Sequence, residues 1–374
     1  MSKIQMYDPK IEYVNHKKEI DDAIQTVLNH GLFINGPEVT ELENNLANYT
    51  GAKHCITVSN GTDAIKIALL ALGVGIGDEV ITVAHTWISS AEAVAIINAK
   101  PVFIDIDKNT FNMDPTLIEK AISDKTKAIV VVSLYGQTAD LDKINEIANK
   151  YNIPVIEDAA QSFGASYNGK KSCNLSTIGT TSFFPSKTLG CYGDGGACFT
   201  NDTSIALKIK AIKSHGGIER FKHDYIGLNC RLDTIQAAIL NAKFKYFNET
   251  IEKRNRCANY YSVKLKPFED KQLIKLPKIG ENKISGWAQY SILANDKKTR
   301  DDIVKHLQNN NVNVAIFYPV PLHTQKCFSY LNYRLGDLPN TESVCDTVFN
   351  IPCYAELSID SQDYIIDKLY DYFI

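Results

Sequence analysis

Between about Cys55 and Ala160 the chain repeats one pattern: a short β-branched apolar run, then a stretch with helical spacing, then another run. The runs are CITV (55–58), DEVITV (78–83), PVFIDID (101–107), AIVVVSL (128–134) and PVIEDAA (154–160), bounded by Gly, Pro or Asp. Between them TDAIKIALLAL, ISSAEAVAIINA, DPTLIEKAI and DLDKINEIANKY have the periodicity of helices. Asp114 and Asp140 stand where N-caps are wanted, with Pro115 in a first turn. Strand and helix alternating in this way predict an α/β fold with a mainly parallel sheet covered on both faces.

In such sheets ligands sit beyond the carboxyl ends of the strands. That rule singles out SNGTDA (59–64), AHTW (84–87), LYGQ (134–137) and EDAAQS (157–162). Residues 181–202 then predict two short strands around a glycine-rich turn, and a long helical stretch follows from about Asp233 to Tyr261. Beyond it a strand (GWAQYSILA), a helix (TRDDIVKHLQNN) and a strand (VNVAIFY) suggest a smaller α/β domain. At 374 residues the chain exceeds one ordinary domain. The expected division is 1–250, an N-terminal segment with the large domain, and 251–374, the small C-terminal domain.

Composition excludes several partners. Hydrophobic residues at 44% and charged residues at 22% give a soluble globular profile, and a net charge of -3 implies no nucleic acid. The nine cysteines form no C-x-x-C, so reduced thiols are expected and no metal framework. The opening MSKIQMYDPK has no apolar core for a secretory leader. The longest apolar stretch, Ala64 to Gly77, is interrupted by Lys66 and three glycines, so no membrane span is expected. A cytoplasmic location follows as an expectation.

Five strand-end features carry candidate chemistry. Asp158 ends an apolar strand, where it either caps a turn or meets a ligand cation. Gln161 follows it closely. Lys187, in F-F-P-S-K-T-L-G, is flanked by aromatic, proline and glycine residues; such surroundings desolvate an amine and favour its neutral, nucleophilic form. Thr62 and its neighbours open a helix whose free N–H groups suit a phosphate, or form a plain cap. Trp87 is either core or a plate for a planar ligand. GVGIGD (73–78) precedes a strand and so is no dinucleotide fingerprint. Thr181 and Ser186 occupy the glycine positions that a P-loop ending in Lys187-Thr188 needs. A phosphate site, an acid, an aromatic plate and a protected lysine together are what pyridoxal phosphate requires.

SNGTDA, EDAAQSFGA, SFFPSKTLGCYGDGGA and NCRLDTIQAAIL closely resemble the DegT–DnrJ–StrS family of nucleotide-sugar aminotransferases, and the resemblance covers nearly the whole chain. It implies a fold-type-I enzyme with a seven-stranded, mostly parallel sheet, a small C-terminal domain, and a homodimer with shared active sites. It implies that Lys187 forms the aldimine with pyridoxal phosphate and shuttles a proton, that Asp158 pairs with the pyridine nitrogen, and that Gln161 lies near the phenolic oxygen. Trp87 would stack on the ring. Gly61, Thr62 and Ser182 would hold the phosphate, with Asn229 reaching in from the partner subunit. Tyr318 and Arg231, the latter again across the interface, would meet the substrate.

The implied reaction moves an amino group from L-glutamate to a nucleotide-linked keto-sugar. The stretch from Ser172 to Asp202 is most similar to family members that aminate UDP-2-acetamido-3-keto-glucuronate for O-antigen-type polysaccharides. A dTDP-linked 3- or 4-keto-6-deoxyhexose is the alternative acceptor, and a cofactor-binding regulator without turnover the alternative of another class. Phe317 stands before Tyr318 where the family often has His; if that histidine contacts sugar or nucleotide in the family, Phe317 removes a polar contact.

Overall fold

The computed structural model describes residues 3–219 and 221–374. Helices α1 (Pro9–Asn15), α2 (Lys17–His30) and α3 (Pro37–Thr50) precede the first strand. Then follow β1 (His54–Val58), α4 (Gly61–Ala71), β2 (Glu79–Val83), α5 (Ser89–Ile96), β3 (Lys100–Ile104), a single turn α6 (Ile118–Ala121), β4 (Thr126–Val132), α7 (Leu141–Lys150) and β5 (Val155–Asp158). The short β6 (Ser166–Tyr167) and β7 (Lys170–Lys171) lead to β8 (Ile178–Ser182) and β9 (Gly196–Thr200). After α8 (Thr203–Ile212), α9 (Thr234–Phe244) and α10 (Phe247–Asp270) come β10 (Ile274–Lys275), β11 (Lys283–Ile284), β12 (Tyr290–Ala294), α11 (Lys297–Asn309), α12 (Pro339–Thr347), β13 (Val348–Ile351) and α13 (Ile359–Phe373).

The main sheet has seven strands in the order β1-β9-β8-β5-β4-β2-β3, and only β9 runs against its neighbours. Strands β2, β4 and β5 carry apolar residues on both sides because both faces are covered. Val58, Val80, Val130 and Ile156 pack with α4, α5 and α8 on one face. On the other, Ile81, Val131 and Val155 pack with α7, and Ala197 and Phe199 with α3, α9 and α10. The reversal of β9 brings its first residue, Gly196, to the same edge as the carboxyl ends of β1, β5 and β8.

The C-terminal unit has its own core on the antiparallel sheet β10-β12-β13, under α10, α11 and α13. Residue 250 falls inside α10, and Ile4 pairs with Val312, so the start of the chain packs on this second core.

Three local expectations are corrected. The helical stretch from Asp233 breaks at Tyr246 (φ -107°, ψ 4°), whose ring stacks on His16 at 4.0 Å, and α10 then runs on to Asp270. GWAQYSILA is extended only from Tyr290, because Gly286 N–H donates to Gly136 O at 2.8 Å and Trp287 turns to φ 47°. VNVAIFY forms no strand. Ala315 makes an isolated bridge to Asn350, and the Phe317 N–H donates to the Asn350 side chain at 3.1 Å.

Candidate active site

At the end of β5, successive residues face opposite sides of the sheet. Glu157, fully buried, accepts from Ser133 Oγ (2.9 Å), Ser172 Oγ (2.8 Å) and Cys173 N (2.8 Å), tying three segments together behind the site. Asp158 faces the front and is 6% exposed. Its Oδ2 accepts from Ser90 Oγ at 2.8 Å and its Oδ1 from Ala160 N at 3.2 Å. Burial pushes the Asp158 carboxyl up; the Ser90 and Ala160 bonds and the Lys187 charge pull it back.

Lys187 sits in a turn after β8, its N–H bonded to Phe184 O at 2.8 Å. The turn is anchored on both sides. Thr188 Oγ1 donates to Phe163 O at 2.8 Å, and the Lys243 ammonium donates to Gly190 O. Gly190 is required by close approach, since a Cβ there would lie 2.5 Å from Pro185 O. Burial pushes the Lys187 amine below the ordinary lysine value, while Asp158 pulls it up.

The N-terminus of α4 closes the opposite wall. Asn60 caps it, accepting from Asp63 N at 2.8 Å, which leaves the first-turn N–H groups of Gly61 and Thr62 without an intrahelical acceptor. Gly61 is pressed on Ser182, where a Cβ would come within 2.7 Å of the Ser182 Cβ, and a Cβ on Gly196 would come within 2.5 Å of Asn60 O. Thr62 Oγ1 and Ser89 Oγ are 2.6 Å apart, so Ser89 and Ser90 link this wall to Asp158. Gln161 accepts from Tyr135 N (2.8 Å) and donates to the Tyr318 hydroxyl (3.0 Å). Trp87, 60% exposed, stands with its ring 6.0 Å from that of Tyr318.

These groups line one cavity of about 560 Å³, within the range of roughly 300–1,000 Å³ for cofactor and small-molecule sites. It brings together Gly61, Thr62, Trp87, Asp158, Gln161, Ser182, Lys187 and Tyr318. Asn229, exposed, and Arg231, half-buried, lie outside its lining, between the bridge to Ser214 and the start of α9. Sequence reasoning missed Ser90, Tyr135 and Gln289, the last a lining residue of the C-terminal unit whose buried Oε1 has no hydrogen-bond partner among the described residues. Ser90 had a signal, its place in the first turn of a helix at a strand end, and Tyr135 lay within the LYGQ stretch already singled out at a strand end; Gln289 had none.

The arrangement offers anion-binding amides, a buried carboxylate, a nucleophilic amine and an aromatic rim within one cavity. Residues 14–370 match the DegT/DnrJ/EryC1/StrS aminotransferase family. A UDP-2-acetamido-2-deoxy-3-oxo-D-glucuronate aminotransferase of Pseudomonas aeruginosa is 50% identical over 358 residues, 96% of this chain and 97% of its own length. A pleiotropic regulatory protein of Geobacillus stearothermophilus is 42% identical over 370 residues, 99% of this chain and 98% of its own length. The crystal structure of S. venezuelae DesV in complex with ketimine intermediate superposes with a TM-score of 0.95 at 33% identity, covering 100% of this chain and 99% of that one.

Proposed function

The chain belongs to the DegT/DnrJ/EryC1/StrS aminotransferase family and is a pyridoxal-phosphate-dependent sugar aminotransferase; we propose that its donor is L-glutamate and its acceptor UDP-2-acetamido-2-deoxy-3-keto-glucuronate. The observation that carries the choice of acceptor is the likeness to the Pseudomonas aeruginosa enzyme, which runs through nearly the whole of both chains. The product is then a nucleotide-linked 3-amino sugar for surface polysaccharide, made in the cytoplasm.

The residues present fit the cofactor. Amides of Gly61 and Thr62 with Ser182 suit its phosphate, in a corner where added Cβ atoms would collide. Asp158, an acid costly to bury alone, suits a protonated ring nitrogen. Trp87 provides a face and Gln161 a remaining amide hydrogen. When bound, pyridoxal phosphate supplies the electron sink for charge developing at the amino-bearing carbon. Lys187 is the residue that holds it covalently. Burial pushes its amine below the ordinary lysine value and so favours the neutral form, in which the free Nζ would take a proton from the substrate carbon and return it. Tyr318, Phe317 and Gln289 extend the cavity from the C-terminal unit, which in this reading meets the sugar.

A second copy of the chain completes the site in this reading. Asn229 would add to the phosphate site, and Arg231 would pair in bidentate fashion with the carboxylates of glutamate and uronate. Exposed Leu32, Phe33, Ile218 and Ile226 supply apolar surface for such contact.

Parallel assays with the UDP-keto-uronate and a dTDP-linked keto-6-deoxyhexose, each with L-glutamate, test the acceptor. Turnover of the uronate at least about tenfold faster in kcat/KM is expected, a difference of ~1.4 kcal/mol in transition-state binding. Preference for the dTDP sugar would replace the proposed substrate, and bound cofactor without either turnover would favour a regulator.

A further inference from the structure

Tyr135, in the turn just beyond β4, lies behind the cavity and bonds to two of its lining residues, Gln161 and Phe317. It is buried at 6% exposure and has φ 59°, a left-handed backbone that a tyrosine keeps only where its surroundings over-determine it. Its N–H donates to Gln161 Oε1 at 2.8 Å, and Gln161 in turn donates to the Tyr318 hydroxyl. Its own hydroxyl donates to the Phe317 carbonyl oxygen and lies 2.8 Å from His85 Nε2.

Counting hydrogens gives this chain of contacts a direction. A phenol has one hydrogen, and a carbonyl oxygen only accepts, so the Tyr135 hydrogen points to Phe317. The Tyr135 oxygen must then accept from His85, which places the imidazole hydrogen on Nε2. Nδ1 is left with a lone pair and accepts from the Cys345 thiol at 3.3 Å. His85 is fully buried, and that burial pushes its pKa down to about 3 against a weaker upward pull from Asp105. One neutral tautomer satisfies every member. The His85 ring also packs edge-on at 6.0 Å from Tyr135 and 6.3 Å from Tyr318.

We propose that Tyr135 is a positioning residue for the acceptor half of the reaction, the centre of a one-directional chain from Cys345 through His85 and Tyr135 to Phe317 that holds the Phe317–Tyr318 segment against Gln161. The proposal deepens, and rests on, the reading of Tyr318 as a substrate-facing residue. The two bonds of Tyr135 serve different partners. The backbone N–H secures Gln161 on the cofactor side, and the hydroxyl secures the segment that meets the sugar.

Tyr135→Phe separates them, because it keeps the ring and the N–H and removes only the hydroxyl. The full-length variant should retain cofactor affinity and the glutamate half-reaction within about twofold, while KM for the keto-sugar rises about tenfold, the scale of one lost hydrogen bond. His85→Gln, which keeps a donor, should stay within about threefold of the parent, and His85→Leu should match Tyr135→Phe. Nitrogen-15 NMR of the parent should find His85 neutral with its hydrogen on Nε2 from pH 5 to 8. Equal losses in both half-reactions, no loss in either, or a hydrogen on Nδ1 overturns the proposal. A parent without a glutamate half-reaction would instead overturn the activity itself, while the His85 tautomer would still test the chain.

Discussion

Asp158 and Lys187 are distorted in opposite senses by the same burial: the carboxyl is pushed up and the amine down, and each charge draws the other back. Ser90 is the strongest single restraint on the acid, because its hydroxyl stabilises the charged form. Ser90→Ala should therefore raise the Asp158 pKa further. A bond to a charged group is worth about 1.5–3 kcal/mol, so cofactor affinity near neutral pH should fall about ten- to a hundredfold. The pH dependence has a definite sign. With Asp158 as the proposed partner of the ring nitrogen, cofactor binding needs the carboxylate, so affinity should drop as pH falls through the raised Asp158 pKa, above the ordinary 3.8, and the drop should move to still higher pH in the variant. Titration of the apoprotein with pyridoxal phosphate across pH measures both; an unchanged affinity and profile would remove Ser90 from the account.

At the scale of elements, the phosphate corner depends on how closely α4, β8 and β9 approach. Gly196→Ala would drive a Cβ to 2.5 Å from Asn60 O and part β9 from the helix that Asn60 caps. Overpacking of this kind costs about 1–3 kcal/mol, and it acts on the wall proposed to receive the phosphate. The melting temperature should fall, and the rise produced by pyridoxal phosphate should shrink. A variant that keeps the full cofactor-induced rise would place the phosphate elsewhere. The strands were legible because both faces are buried: Val130 and Val131, or Val155 and Ile156, are adjacent apolar residues serving opposite cores. VNVAIFY misled because its backbone bonds scatter over Ile4, Leu307 and Asn350 without forming a ladder, and its last residues turn to side chains. Asn350 takes the Phe317 N–H and Tyr135 takes its carbonyl, and no local pattern records contacts so distant in sequence.

Across the whole molecule, one cavity draws on both units, and its chemistry was only partly visible in the sequence. Lys187 and Asp158 stood out because a charge in an apolar run needs a reason. Ser90 and Tyr135 did not, because a serine in a first turn and a tyrosine in a loop are ordinary until their hydroxyls have partners. The Glu12–Lys243 ion pair at 2.9 Å shows the same integration, since Lys243 also holds Gly190 in the Lys187 turn and so ties α1 to the reactive loop. In the proposed function Lys187 holds the cofactor and yields it to an amino donor. Borohydride reduction of the loaded protein, followed by peptide mass mapping, tests it directly. A pyridoxyl group is expected on Lys187, lost when L-glutamate is added before reduction; a label on another lysine, or one that glutamate leaves in place, would show that Lys187 does not play this part.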